Sequence, residues 1–366
     1  MKDEIRRLDE ERRRTAHWKR WGPYLSERQW STVREDYSAD GDAWDYFPHD
    51  QARFRAYRWG EDGIGGISDR HQLICFAPAF WNGSDSILKE RIFGLTNQEG
   101  NHGEDVKEYY YYLDSTPTHS YMKYLYKYPH AEFPYARLLE ENKKRTKLDP
   151  EFELIDTGIF DEDRYFDIFI EYAKAGVEEI LVRFTAFNRG PEPATLRLLP
   201  TLWFRNTWSW GRHPQRPSIS LAGKPDGMTV LQAEQDYYGK RWLCFEGSPP
   251  LLFTENETNF ERTDGSANGN PYVKDAFHEY VIQKKAAAVN PALTGTKAAA
   301  DYELRIEAGK SACVRCRLSG TTQEKNVFGP PFDDVFNARI AEANEFYERH
   351  LAKGGSDDSR AVQRQA

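Results

Sequence analysis

Cysteine is scarce: Cys75, Cys244, Cys313 and Cys316 are the four in 366 residues. So few in so long a chain exclude a disulfide scaffold, and they read as free thiols of a reducing compartment. Long apolar runs are lacking too. The longest, residues 73–81, contains Pro78 and falls far short of the roughly 20 residues of a spanning helix. No apolar segment follows Met1-Lys2-Asp3-Glu4-Ile5-Arg6-Arg7, so no secretory signal is expected. These absences predict a soluble, cytoplasmic protein with no membrane partner. Positive charge is not in excess: the net charge is −8 and the pI about 5.7. That argues against a nucleic-acid partner held by phosphate neutralisation. The glycine cluster Gly60–Gly66 opens no helix with G-x-G-x-x-G or G-K-[ST] spacing, and no cofactor is expected.

The pair Cys313 and Cys316 has the C-x-x-C spacing of zinc and redox sites. It lies in an alternating run, where residues three apart point to opposite faces of a strand. No second such pair completes a zinc site, so no metal is expected and Cys316 reads as a small buried hydrophobe.

What is present is alternation. Ile180, Val182, Phe184 and Ala186 share one parity, and Ala194, Leu196 and Leu198 resume it after Asn188-Arg189-Gly190-Pro191-Glu192-Pro193. Period two with a turn-rich interruption reads as a β-hairpin. A second hairpin is expected to close through Gly309-Lys310, joining 302–307 to 312–318. Further strands are expected at 53–59, 72–76, 89–98, 151–160, 165–172, 218–222, 228–234, 242–245, 251–254 and 277–282. Tyr109 to Tyr112 and Tyr121, Tyr124, Tyr126 and Tyr128 read as a tyrosine-laden hairpin, whose rings pack a sheet rather than line a cleft. A short helix is expected at 138–147.

Many strands, no βα alternation and a late helix predict a mainly β chain, a large antiparallel sandwich. Residues 1–20 carry eight Lys/Arg against five Asp/Glu, and Ile5 and Leu8 supply only a thin apolar stripe. They read as a charged, mostly exposed helix or arm. The sandwich is expected over 21–330 and a linker helix over 331–366, where Phe332, Phe336, Ile340, Ala343 and Tyr347 recur at helical spacing. That stripe, and the irregular Trp- and Asp-rich segment 30–62, are expected to lack a partner within the chain. Asp36, Ser38, Asp40 and Gly41 partly match a calcium loop, but Phe47 stands where its final glutamate belongs.

Several strings carry a resemblance: Trp21-Gly-Pro-Tyr-Leu-Ser-Glu-Arg-Gln-Trp30, Arg34-Glu-Asp-Tyr37, Tyr57-Arg-Trp-Gly-Glu-Asp-Gly63 and Leu199-Pro-Thr-Leu-Trp-Phe-Arg-Asn-Thr-Trp208. They resemble bacterial glucosidase-like proteins of glycoside hydrolase family 63, which includes the mannosyl-oligosaccharide glucosidases. The resemblance spans roughly residues 17 to 351. It implies an N-terminal β-sandwich module (a super-sandwich) joined by helices to an (α/α)6 barrel that bears the catalytic carboxylates. The chain stops where that barrel would begin, so it carries over no catalytic residue and is expected to be inactive alone. It would support and shape the substrate cleft for α-linked glucosides, its carbohydrate partner being reached through the barrel. The residues expected to approach substrate are Trp30, Arg34, Asp36, Trp44, Asp45, Glu61, Asp62, Trp203, Arg205 and Trp208. The alternative is a free-standing carbohydrate-binding module stacking sugars on Trp203, Trp208 and Trp210.

Overall fold

The computed structural model describes residues 2–31, 47–96, 99–102, 105–211, 215–323, 325–351 and 354–365. Two antiparallel sheets face one another. The larger has nine strands, ordered Thr294–Gly295, Ser218–Gly223, Met228–Gln235, Gly239–Glu246, Ser311–Ser319, Glu179–Asn188, Tyr165–Gly176, Tyr121–Pro129 and Tyr110–Ser115. The smaller has seven: Trp21–Tyr24, Ile67–Asp69, Ile74–Trp81, Ala194–Phe204, Lys297–Ala300 and Leu251–Thr254 in order, with Tyr302–Ile306 also on Ala194–Phe204. The fold is the mainly β sandwich that the alternation predicts.

The parities hold, but the pairing differs. Glu179–Asn188 pairs with strands of the nine-stranded sheet, and Ala194–Phe204 with strands of the seven-stranded one. The segment 188–193 is therefore an arch between sheets rather than a hairpin. Ile180, Val182 and Phe184 meet Leu196, Leu198 and Leu202 face to face in the core. The closing hairpin is likewise an arch: Tyr302–Ile306 pairs with Ala194–Phe204, and Ser311–Ser319 with Glu179–Asn188. Asn188, buried, fastens the two arches together. Its side-chain amide donates to the Glu192 and Ile306 carbonyls at 2.7 and 2.9 Å, its Oδ1 accepts from Gly190 N, and its backbone carbonyl accepts from Gly309 N. Facing sheets bury both inner faces, which neither arm of a two-stranded hairpin would achieve alone. Tyr124, Tyr126 and Tyr128 lie wholly within this core.

Both outer faces are covered. The helix Pro330–Tyr347 lays Phe332, Phe336 and Ala343 onto Tyr121, Leu181, Met228, Val230 and Cys244 of the nine-stranded sheet. Its stripe thus has a partner within the chain, contrary to the sequence expectation, because the outer face of that sheet is itself apolar. The N-terminal helix Lys2–Arg12 is not a loose arm either. It docks by charge: Glu4 and Arg7 are buried, Glu4 accepts from Thr118 N, Thr118 Oγ1 and Ser120 Oγ at 2.7–2.8 Å, and Arg7 pairs with Glu4 and Glu342. Ile5, the apolar residue that suggested a stripe, is exposed.

Four expected strands take other forms. Residues 53–59 follow a short helix, His49–Ala52, as irregular chain. Among the described residues of 89–98, only Gly94–Leu95 form a strand. A 3-10 turn, Leu154–Thr157, lies within 151–160, and a helix, Ala276–Val281, occupies most of 277–282. The last covers the outer face of the seven-stranded sheet: Phe277 and Val281 pack on Ala79, Leu199, Leu252 and Ala299. The expected helix 138–147 begins earlier and ends sooner, at Tyr135–Lys143. Among the described residues no helix is long and apolar enough to cross a membrane. Cys316 is buried and Cys313 exposed on one strand, so the two thiols diverge as the parity requires.

Candidate functional site

The site grows from the outward parity of the seven-stranded sheet. Ala77 and Ala79, Thr201 and Trp203, and Lys297 stand on three adjoining strands with their side chains away from the core. Small residues on the first strand leave space above it. The glycine cluster 60–66 uses that space: a Cβ on Gly66 would lie 2.6 Å from Ala77 Cβ and 2.8 Å from the Phe76 carbonyl. Glycine there lets the chain cross directly over the strand. That is what the cluster does in place of binding phosphate.

The crossing sets Glu61 and Asp62 over the sheet, opposite Glu90, Arg91, Asn256, Lys274 and Lys297, around a cavity of about 30 Å³. Three carboxylates and three cations are thus brought together, nearly all buried. Burying charge is costly unless each group finds partners. Most do. Asn256 Nδ2 donates to Glu61 Oε1 at 2.9 Å, and Tyr57 OH donates to Asp62 Oδ2 at 2.9 Å. Lys274 Nζ donates to the Arg55 carbonyl at 2.8 Å and lies 3.6 Å from the centre of the Tyr57 ring. Lys297 pairs with Glu90. Arg91 is less well served: Nε stands 3.5 Å from Asp62 Oδ1, and neither Nε nor Nη1 has a hydrogen-bond partner among the described residues.

Burial dominates the electrostatics. It pushes the Glu61 carboxyl above its ordinary range, against the Lys274 charge and the Asn256 and Trp203 hydrogen bonds. It pushes the Lys274 ammonium down to about 7, with Arg91 acting in the same sense. A protonatable carboxyl thus faces an amine that titrates near neutrality. The cavity admits one or two waters and no sugar ring. The arrangement can hold a water and move a proton, and it locks the 57–62 segment to the sheet.

The structure therefore brings together three residues expected from sequence, Glu61, Asp62 and Trp203. Trp203 is 7 % exposed, so its indole is a wall of the pocket rather than an open platform. Trp30 is fully buried against Phe47, Ala52 and Tyr57, so that part of the 30–62 segment packs within the chain. Trp208 donates to Glu257 at 2.6 Å and leans on the core. Arg205 lines a separate, open pocket of about 300 Å³ at the end of the sandwich. Arg34, Asp36, Trp44 and Asp45, with the calcium-like stretch Asp36 to Gly41, lie outside the described residues. Sequence reasoning missed Glu90, Arg91, Lys274, Lys297 and Asn256. The last carries the Asn256-Glu257-Thr258 sequon, and its burial with both amide hydrogens bonded leaves it no glycan acceptor.

Among the described residues, one group has the composition of a cation site. Asp105, Glu151 and Glu153 bring carboxylate oxygens within 4.8 Å of one another. The buried Lys107 ammonium already sits among them, 2.9 Å from Glu151, 3.2 Å from Glu153 and in contact with Asp105. Burial, and then the Glu151 oxygen beside it, push the Asp105 carboxyl up to about 6.

No family model matches the chain. The uncharacterized protein YMR196W of Saccharomyces cerevisiae is 42 % identical over 406 aligned residues, taking in 99 % of this chain and 37 % of that protein. The chain thus spans little more than a third of that relative's length. Solved structures with similarity include carbohydrate-active enzymes, at low TM-scores. A polysaccharide lyase gives 0.31, with 12 % identity over 75 % of this chain and 28 % of that one. A protein described as a kojibiose phosphorylase, from the human microbiome, gives 0.29, with 10 % identity over 85 % and 33 %. A galactose mutarotase related enzyme from Lactobacillus acidophilus gives 0.28, with 7 % identity over 71 % and 91 %.

Proposed function

We propose that the chain is the sandwich module of an α-glucosidase-like glycoside hydrolase, of the family 63 kind, which supports and shapes the cleft of a catalytic barrel. The barrel belongs, on this reading, to further sequence of a longer polypeptide, reached through residues 331–366. The motif strings around Trp21, Tyr57 and Leu199 support it, as does a relative of which the chain spans 37 %. The observation that carries it is the pocket. Glu61, Asp62 and Trp203, drawn from two of those strings, meet over one sheet face with an Arg91 guanidinium that is incompletely bonded.

No catalytic role falls to the chain itself. Inverting hydrolysis needs two carboxyls about 6.5–9.5 Å apart with a sugar ring and water between them. Glu61 and Asp62 are sequence neighbours beside a cavity of about 30 Å³. They anchor the segment that leads toward the cleft. The free-standing binding module has less support, since Trp203 is walled in and Trp208 is tied to Glu257.

The test is hydrolysis of nitrophenyl α-glucoside by the whole protein and by the 366-residue chain. Turnover is expected from the whole protein alone. Turnover by the chain alone, abolished by Glu61→Gln, would overturn the reading.

A further inference from the structure

Beside the charged pocket, one residue on from Trp203, the tip of the hairpin joining Met228–Gln235 to Gly239–Glu246 leans over the end of the seven-stranded sheet. It encloses the open pocket of about 300 Å³ with Arg205 and Phe204, where Ala194–Phe204 ends. Tyr237 stands at its rim, 61 % exposed. Exposed as it is, the ring is not loose. Its backbone N–H and that of Tyr238 both donate to Gln235 Oε1, at 2.9 and 3.0 Å. It stands nearly perpendicular to the His71 ring at 5.2 Å between centres, and Tyr238 beside it is tied to Asp69 at 2.8 Å. The ring is held in place and largely exposed, so little order remains to be imposed on binding.

Two ionic groups share the pocket, and both are partly engaged. Arg205 Nε donates to the Gln72 carbonyl at 3.0 Å and Nη2 to the His71 carbonyl at 3.3 Å. With its amide oriented to suit, Gln215 donates to the Asp236 carboxylate. These neutral partners leave both charges in place, and each group keeps hydrogen-bonding capacity. A hydroxyl both donates and accepts, so one kind of group can serve the Asp236 carboxylate and the Arg205 guanidinium together.

We propose that this pocket binds a neutral saccharide, one hexopyranose ring lying against Tyr237 with its hydroxyls shared between Asp236 and Arg205. The volume is at the lower end for ligand pockets, as one sugar unit requires. The site is a second one, apart from any cleft beside Glu61. Its choice of an α-glucan as probe rests on the function proposed above.

The experiment titrates maltotriose into the 366-residue chain by calorimetry and NMR, with glutamine as a zwitterionic comparison. Saturable maltotriose binding is expected, weakened at least about tenfold by Tyr237→Ala and by Asp236→Asn. Trp59→Ala, which removes another exposed aromatic, should leave it unchanged. Absence of binding to the unaltered chain, binding indifferent to Tyr237→Ala, or displacement by glutamine would each overturn the proposal. The whole protein bearing Tyr237→Ala separates the two readings. Unchanged α-glucoside turnover without maltotriose binding to the chain sinks the pocket and leaves the proposed function standing.

Discussion

Asn256 and Glu61 are hydrogen-bonded across the charged pocket at 2.9 Å, while the second amide hydrogen of Asn256 reaches the Phe204 carbonyl at 3.0 Å. One buried side chain thereby ties the crossing segment to the end of a central strand. Asn256→Ala leaves a buried carboxyl and a buried carbonyl each without that partner. A loss of about 2–4 kcal/mol is expected, read as a lowered urea midpoint. A change under about 0.5 kcal/mol would mean the segment is held elsewhere.

Asn188 is the corresponding fastener of the two arches. Asn188→Ala strands the Ile306 and Glu192 carbonyls and frees the Gly190 amide. Destabilisation of about 3 kcal/mol is expected, and Asn188→Asp, which keeps the acceptor but turns a carboxylate oxygen on two buried carbonyls, should cost at least as much. Equal stability of the alanine variant and the unaltered chain would contradict the arrangement.

His278 provides a pH signature. Burial, and then the nearby Arg53 guanidinium, push its pKa down to about 4, and the Leu88 amide donates to Nδ1 at 3.3 Å. The ordinary value is about 6.5, so the unfolded chain binds the proton first as pH falls. The contribution is whole above about 6.5 and is lost as pH drops toward 4. Between pH 7.5 and 5.5 this group alone should remove about 1.4 kcal/mol. Urea titrations at the two pH values check it, and His278→Gln should flatten the difference by about that amount.

Lys107 contacts three carboxylates from a buried position and offsets one of their charges. Lys107→Met should destabilise by about 3–5 kcal/mol, the range for stripping one partner from a buried ion pair. Calcium should recover part of the loss in the variant and do nothing to the unaltered chain, a contrast that thermal melts with and without the ion will read.

Phe336 joins the late helix to the nine-stranded sheet. It is fully buried, with the Arg183 guanidinium over its ring at 4.4 Å. Phe336→Ala should cost about 3–5 kcal/mol. If the helix instead belonged to another domain, the loss in this chain would be small.

The sequence determined most of the sandwich strands and the face each turns inward, though not at 53–59, 151–160 or 277–282. Hydrophobic alternation records burial residue by residue, so Ile180, Val182, Phe184 and Leu198 could be assigned to a core, and Cys313 and Cys316 separated, from spacing alone. It did not determine which strand lies beside which. Parity is the same for a hairpin and for an arch between facing sheets, and only the packing of two whole sheets chose the arch at Asn188. The tertiary structure also decided the fate of charge. Among 58 acidic and 50 basic residues nothing in sequence marks Glu4, Arg7, Glu61 or Lys274 for burial. An ion can be buried only where partners from distant segments converge, and the fold brings Thr118 to Glu4 and Asn256 to Glu61.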